Sequence, residues 1–465
     1  MPLKIRRNTG VYTAPWERSF DKLLTPLELF IHRQTTSGIL LMICAVVALI
    51  IANSQWGEQY AHFFHTSMGL SFGNYTFSLT VHHWINEALM ALFFMVMGLE
   101  LKREFIAGEL ASPKQALLPI MAAIGGMALP ALVYFAINPD GAAAKGWGIP
   151  MATDIAFAIG ALSLLGARIP KSLLTFLIAL AIVDDLGAVA VIALFYTAEL
   201  NFTALITAAG LSSILIALNL GGVRRTLPYI LVGIFVWIAM LASGIHATIA
   251  GIVIAFAIPM RPKYDPEHFI MRVRGLTTLM ERSHHEAPDI IRNNSFRSKV
   301  TALVNGANLA QAPAQRLEHV LHLPVAYLVI PIFALANAGV AFEGDLADSL
   351  SHPITLGIIS GLILGKLVGI AGFAWVSVKL GWASLPSDLN WRHVIGVGFL
   401  GGIGFTMSIF IADLGFAGSP ENILQAKVGI LLGSLVAGIL GIGTLLMGEK
   451  SPNDQTDTGS DHANH

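Results

Sequence analysis

"SLLTFLIALAIVDDLGAVAVIALFYTA", residues 172–198, decides the fold. It holds no charged residue except Asp184 and Asp185, which stand side by side near its middle. A helix rises about 1.5 Å per residue, so this run is longer than the roughly 30 Å hydrocarbon core of a bilayer. Comparable runs recur along the chain. Of its 465 residues, 55% are hydrophobic and only 12% charged, and mean hydropathy is +0.68. Soluble domains carry roughly 25% charged residues. The expected class is therefore an all-α polytopic membrane protein with the lipid bilayer as its solvent. A net charge of −1 offers no basic footprint for nucleic acid. The single cysteine, Cys44, excludes an intrachain disulfide. No small-residue cleavage site follows the first apolar run, so the first span is expected to be retained.

Charge-poor runs fall at about 36–53, 84–99, 116–137, 147–166, 172–198, 203–219, 323–342, 354–378, 393–412 and 424–447. Residues 228–259 are too long for one upright span. Arg224 and Arg225 precede them and a basic segment follows from Arg261. Both ends favour the cytoplasm, so the chain should cross twice, turning near Ser243 and Gly244. That makes about twelve spans. Basic residues then gather on one side: Lys4, Arg6, Arg7, Arg18, Lys22 and Arg33, then Lys102, Arg103 and Lys114, then Arg168 and Lys171, and so on to Lys450. Only Lys145 falls opposite, which places both termini in the cytoplasm. Lys427 is left near a span end. The expected organisation is a cytoplasmic segment 1–35, a transmembrane domain 36–449 and a disordered cytoplasmic tail 450–465. Within the domain, 54–82 ends in the alternating "YTFSLTVH" of an extracytoplasmic hairpin. Residues 260–317 read as a partly helical cytoplasmic insertion containing the pairs His284–His285 and Asn293–Asn294.

Ionisable groups at membrane depth are the anomaly. Besides the aspartate pair there are Lys366, in "LILGKLVGI", and Asp154, after Thr153 in "GIPMATDIAF". Each costs about 2.5–3.5 kcal/mol at a helix centre on insertion scales. A buried salt bridge to Lys366 would neutralise one carboxylate and leave the others unexplained. Intramembrane carboxylates more often mark an ion or proton path. A carboxylate deprived of water holds its proton tightly and can exchange it for a small hard cation such as Na⁺ or Li⁺. If one Na⁺ displaces two protons, the exchange is electrogenic.

Two spans carry breaking residues: "GWGIPMATD" with Pro150, and "GFLGGIGFTMSIF" with Gly398, Gly401, Gly402 and Gly404. They can unwind at mid-membrane and expose half-helix dipole ends, where Asp154, and Lys366 from the other side, would compensate charge. Close packing of small residues without a break is the alternative.

With these residues in view, the chain resembles the NhaA family of bacterial Na⁺/H⁺ antiporters. The motifs are "NEALMALFFMVMGLELKRE", "GWGIPMATDIAFAIGALSLLG", "ALAIVDDLGAV", "SGIHATIAG", "RLEHVLH", "PIFALANAGV", "GKLVGI" and "GGIGFTMSIFIA", in order over residues 86–412. The resemblance implies an inner-membrane homodimer joined partly by the hairpin at about 54–80. It implies inverted repeats of spans 3–5 and 10–12 with spans 4 and 11 broken, a plan already known for this family. It implies that Asp184 and Asp185 bind the transported cation or protons, that Thr153 and Asp154 lie at the crossing of the unwound chains, and that Lys366 pairs with Asp184. A cytoplasmic pH-sensing cluster would comprise Glu100, Arg103, Glu104, Arg316, Glu318, His319 and His322, with activation at alkaline pH. Glu87, where an aspartate is expected, and Gln315, in place of a lysine, depart from the pattern. No enzymatic activity and no cofactor are expected. A sodium-coupled symporter of an organic anion is the competing reading, and it would need polar substrate ligands near the breaks. A membrane hydrolase would need a second motif and a wet cleft.

Overall fold

A computed structural model describes residues 6–8, 11–13, 34–72, 75–197, 200–286, 293–341 and 346–447. The rest of the expected 1–35 segment and the 450–465 tail lie outside these residues. Two short antiparallel strands, β1 (Arg6–Asn8) and β2 (Val11–Thr13), come first. Helices α1 (Gln34–Ala52) and α2 (Gly57–His65) follow. Strands β3 (Ser67–Phe72) and β4 (Tyr75–Thr80) then pair antiparallel, Ser67 opposite Thr80. Next come α3 (Val81–Ala107), α4 (Pro113–Ile137), α5 (Ile155–Ser163), α6 (Lys171–Phe195), α7 (Phe202–Leu220), α8 (Thr226–Ser243) and α9 (Thr248–Ala257). The 260–317 segment folds into α10 (Pro266–Glu286) and α11 (Asn294–Ala310), which pack on each other. The chain ends with α12 (Pro313–Asn337), α13 (Pro353–Lys379), α14 (Trp391–Leu400), α15 (Phe405–Gly415) and α16 (Pro420–Leu446).

The helix boundaries follow from local sequence. Proline sits in the first turn of α12, α13 and α16, where its missing N–H costs nothing. The Asn201 side chain caps α7. Asn390 and His393 form a reciprocal capping box at α14. Asn293, singled out in the sequence, is the N-cap of α11; its side chain accepts the Phe296 N–H at 2.9 Å and donates to the Ser283 carbonyl at 2.6 Å. The turn expected near Ser243 and Gly244 is present. Gly244 ends α8 with φ +84°, a left-handed conformation open to glycine without strain.

The molecule is an all-α polytopic membrane protein. Eight helices are long and apolar enough to cross a bilayer, and up to ten spans result if two bent pairs, α1 with α2 and α14 with α15, each count as one. Helix length alone does not reach the twelve read from the sequence. The shortfall has a local cause. Helix α9 has only 10 residues, and the expected fourth span is interrupted at 152–154, between a 3₁₀ segment Ala143–Met151 and α5.

By its contacts the chain divides into two units, 1–57 with 118–184 and 337–465, and 58–117 with 185–336. In the first, Leu118, Ala122, Leu162, Leu177, Val397 and Leu400 belong to a core drawn from α4, α5, α6, α13, α14 and α16. Helix α13 approaches its neighbours closely. A Cβ on Gly361 would lie 2.7 Å from Pro150, and one on Gly365 2.6 Å from Pro130. A single wide π-type turn, Gly361–Gly365, sets this geometry immediately before Lys366. In the second unit, Leu99, Leu215, Tyr229, Val236, Ile254 and Leu317 belong to a core drawn from α3, α7, α8, α9 and α12.

Candidate functional site

In the first unit two interrupted helices meet. One is the 3₁₀ segment Ala143–Met151 followed by α5; the other is α14 followed by α15, bent by 45°. The unwound residues between the halves bond to each other. The Asp154 N–H donates to the Ile403 carbonyl at 2.6 Å. The Thr153 hydroxyl donates to the Gly401 carbonyl at 2.8 Å. The Ser408 hydroxyl donates to the Ile149 carbonyl at 2.7 Å. Backbone groups released by unwinding thus find partners inside the protein, as lipid requires. The alternative of unbroken small-residue packing does not describe these helices. Gly404 stands where the chains come closest; a Cβ there would meet the Ser408 hydroxyl and lie 2.9 Å from the Ala152 carbonyl.

Asp154 is buried and serves two helix starts. Its Oδ1 accepts the Phe157 N–H at 3.0 Å, capping α5. Its Oδ2 accepts the Thr406 N–H at 3.0 Å and the Thr406 hydroxyl at 2.6 Å, in the first turn of α15. One carboxylate therefore faces the positive ends of two half-helices. Ser434 of α16 adds to the second of these, accepting the N–H groups of Gly404 and Phe405, each at 3.2 Å. Thr406 and Ser434 were not singled out from the sequence. Thr406 carried a signal, standing two residues past the last glycine of the break; Ser434, a small polar residue in an otherwise mostly apolar helix, carried none.

Lys366 is fully buried. Its ammonium donates to Asp184 Oδ2 at 2.7 Å and to the Thr153 hydroxyl oxygen at 2.9 Å. Asp184 Oδ1 accepts no hydrogen bond. The Thr153 proton is committed to Gly401, so that hydroxyl can only accept from the lysine. Asp185 follows on α6, also buried, and points about 100° away from Asp184 around the helix.

In the second unit Arg103 gathers three carboxylates: Glu318 at 3.2 Å, Glu104 at 3.3 Å and Glu100 at 3.7 Å. Of the residues grouped here by resemblance, the structure brings these four together. Arg316, His319 and His322 lie on the same helix as Glu318 but form no ion pair within 4 Å with these carboxylates. Arg103 joins α3 to α12 through Glu318, and His322 interacts electrostatically with both. Glu87 meets the turn before α9: its carboxylate accepts the Ala247 N–H at 3.0 Å and lies 3.7 Å from His246 Nδ1. The negative charge there faces a helix start.

The comparisons with known proteins agree with this architecture. A family model described as Na⁺/H⁺ antiporter 1 matches residues 28–445. A protein named Na⁺/H⁺ antiporter NhaA from Sulfurimonas denitrificans is 52% identical over 449 residues, covering 95% of this chain and 99% of that protein. One named Na⁺/H⁺ antiporter NhaA 1 from Saccharophagus degradans is 50% identical over 439 residues, covering 94% and 95%. Another, from Syntrophobacter fumaroxidans, is 47% identical over 441 residues, covering 93% and 92%. Identity of about half over more than nine-tenths of the chain, with the family model matching residues 28–445, means that the chain belongs to the Na⁺/H⁺ antiporter 1 family, the NhaA type.

Proposed function

We propose that the protein is a secondary active, electrogenic antiporter that exports Na⁺ or Li⁺ in exchange for protons, serving sodium and pH homeostasis. It sits in the inner membrane of a bacterium as a homodimer, both termini cytoplasmic, and is activated as pH rises. The observation that carries this reading is the buried Asp184–Lys366–Thr153 chain beside two interrupted helices. A carboxylate with one oxygen held by an ammonium and one free of hydrogen bonds is a site that a cation can enter by displacing the lysine.

Asp184 and Asp185 are the groups that alternate between proton and cation. Asp154 holds the crossing together and offsets the helix ends, so that the site is supported without a resident cation. Protons and Na⁺ compete for the same carboxylates, so acid suppresses exchange and alkali releases it. The Arg103 cluster, with His319 and His322 beside it, adds control from the cytoplasmic face. Because arginine keeps its charge across physiological pH, a pH response of that link falls to Glu318 and His322 beside it. The organic-anion symporter gains no support from the relatives matched, which carry antiporter names.

The test is purified protein in liposomes under an imposed pH gradient. Na⁺ or Li⁺ added outside should drive proton movement, and K⁺ far less. Exchange should respond to membrane voltage, as unequal charge movement requires. No cation-driven proton movement from correctly folded protein would overturn the reading.

A further inference from the structure

We infer that Lys427 and Ser434 on α16 are positioning residues that fasten half-helix α15 at both of its ends and so hold the ion site in its binding geometry. The inference rests on the antiport reading above for its transport readout, but the residues belong to a different helix from those of the site.

At the N-terminal end of α15, three successive N–H groups need acceptors because unwinding has removed their helical partners. Gly404 and Phe405 are satisfied by the Ser434 hydroxyl, and Thr406 by Asp154. Ser434 is buried, so water does not substitute. Near the other end, Asp413 of α15 binds Lys427 of α16 at 3.3 Å, with both side chains largely sheltered. The spacing explains the pair. Residues seven apart on a helix are about two turns apart and share one face, roughly 10.5 Å along the axis. From Phe405 to Asp413 is about 12 Å on the same measure. Helix α15 therefore lies antiparallel against one face of α16, pinned by a hydroxyl at its start and an ammonium near its finish. Lys427 thereby acquires a role that its place near a span end did not suggest.

Fixing α15 matters because its first turn reaches the ion site through a short bonded series. Thr406 holds Asp154; the neighbouring Thr153 holds Lys366; Lys366 holds Asp184. Releasing the start of α15 lets Asp154 and Thr153 move, and the carboxylate site loses its preorganisation. The effect should fall on cation affinity rather than on the maximal rate.

The experiment uses the full chain in proteoliposomes, with Na⁺-driven proton movement measured against Na⁺ concentration and melting temperature measured in parallel. Ser434→Ala should raise the apparent KM for Na⁺ about fivefold, the size of one lost helix cap, with maximal rate per folded molecule nearly unchanged. Ser434→Thr, which keeps the hydroxyl, should restore it. Lys427→Met and Asp413→Asn should each raise KM in the same direction, the two together no more than one alone, and the exchange Lys427→Asp with Asp413→Lys should recover part of the loss. If Ser434→Ala does not fold, the Lys427 and Asp413 variants decide. An unchanged KM in folded variants, with or without a lower melting temperature, would overturn the inference and leave these residues a purely structural role. A wild-type protein that moves no protons in response to Na⁺ would instead overturn the antiport reading.

Discussion

Replacing Lys366 with methionine removes one charge and keeps nearly all of the apolar volume, so it isolates the electrostatic part of the buried contact. In the native structure the ammonium is fully buried, 2.7 Å from Asp184 and 2.9 Å from Thr153. Removing one partner of a buried pair leaves an uncompensated charge and costs about 3–5 kcal/mol. Unfolding entropy of about 2.1 cal/mol/K per residue makes 1 kcal/mol worth roughly 1 °C in a chain of this length. Lys366→Met should therefore melt about 3–5 °C lower in detergent at alkaline pH. At acid pH a proton on Asp184 can take the lysine's place, so the deficit should shrink. The sign is set by the carboxylate: its uncompensated charge destabilises the fold only where it is ionised, so the loss grows as pH rises. The assay is thermal unfolding of the purified protein from acid to alkaline pH, with transport measured in liposomes alongside. A wild-type melting temperature throughout, together with wild-type transport, would refute the ion pair as a stabilising element. A uniform deficit at every pH would show that packing, not charge, is what the lysine supplies.

Asp184→Asn and Asp185→Asn should each leave a folded protein with no Na⁺-driven proton release; robust exchange by either would remove that residue from the proposed site. On the proposed antiport reading, Li⁺ and Na⁺ should both drive exchange while K⁺ drives little, because carboxylate oxygens favour a small hard ion; equal rates with K⁺ would reject that site chemistry. Thr406→Val deletes a hydroxyl 2.6 Å from Asp154 and should cost about 1.5–3 kcal/mol, as for a hydrogen bond to a charged group; a melting temperature unchanged within a degree would rule out a stabilising contribution from that hydroxyl. Arg103→Gln should shift the activity-versus-pH curve without much loss of its maximum, and a curve left in place would assign the pH response to the transport site alone.

Much of this architecture is legible in the residues because membrane burial makes errors expensive. A charge at bilayer depth demands an explanation, so Asp154, Asp184, Asp185 and Lys366 stand out against their apolar runs without any structure. Proline and glycine near two of these positions mark where helices can be interrupted. What the residues do not reveal is which bonds replace the helical ones. Ser434 looks like any other small polar residue in an apolar helix; its importance comes from lying beside Gly404, 30 residues away in sequence. Histidines in "RLEHVLH" invite a titrating contact at i and i+4, and His322 does interact electrostatically with Glu318; the sequence does not reveal that Arg103, on another helix, also reaches Glu318. Helix length does not reach the twelve spans read from the sequence for a related reason. Hydropathy registers apolar length, whereas α9 and the 143–163 segment are short or interrupted in the fold.

The crossing and the carboxylate site share one atom. Thr153 Oγ1 gives its proton to the Gly401 carbonyl, at the end of half-helix α14, and receives one from Lys366, which holds Asp184. Any displacement of the interrupted helix that lengthens the first of these bonds also changes what the hydroxyl can offer the lysine. Conversely, a cation that displaces Lys366 from Asp184 frees the ammonium to draw on Thr153 and through it on the break. With Asp184 as the proposed ion site, a buried hydroxyl placed in this way gives ion binding and helix geometry a common free energy, and linkage makes the coupling reciprocal. Asp154, one residue on, fixes the other side of the same junction by joining the starts of α5 and α15. On the proposed antiport reading, the bonded groups at the interruptions are the means by which occupancy of Asp184 is felt at the ends of several half-helices at once.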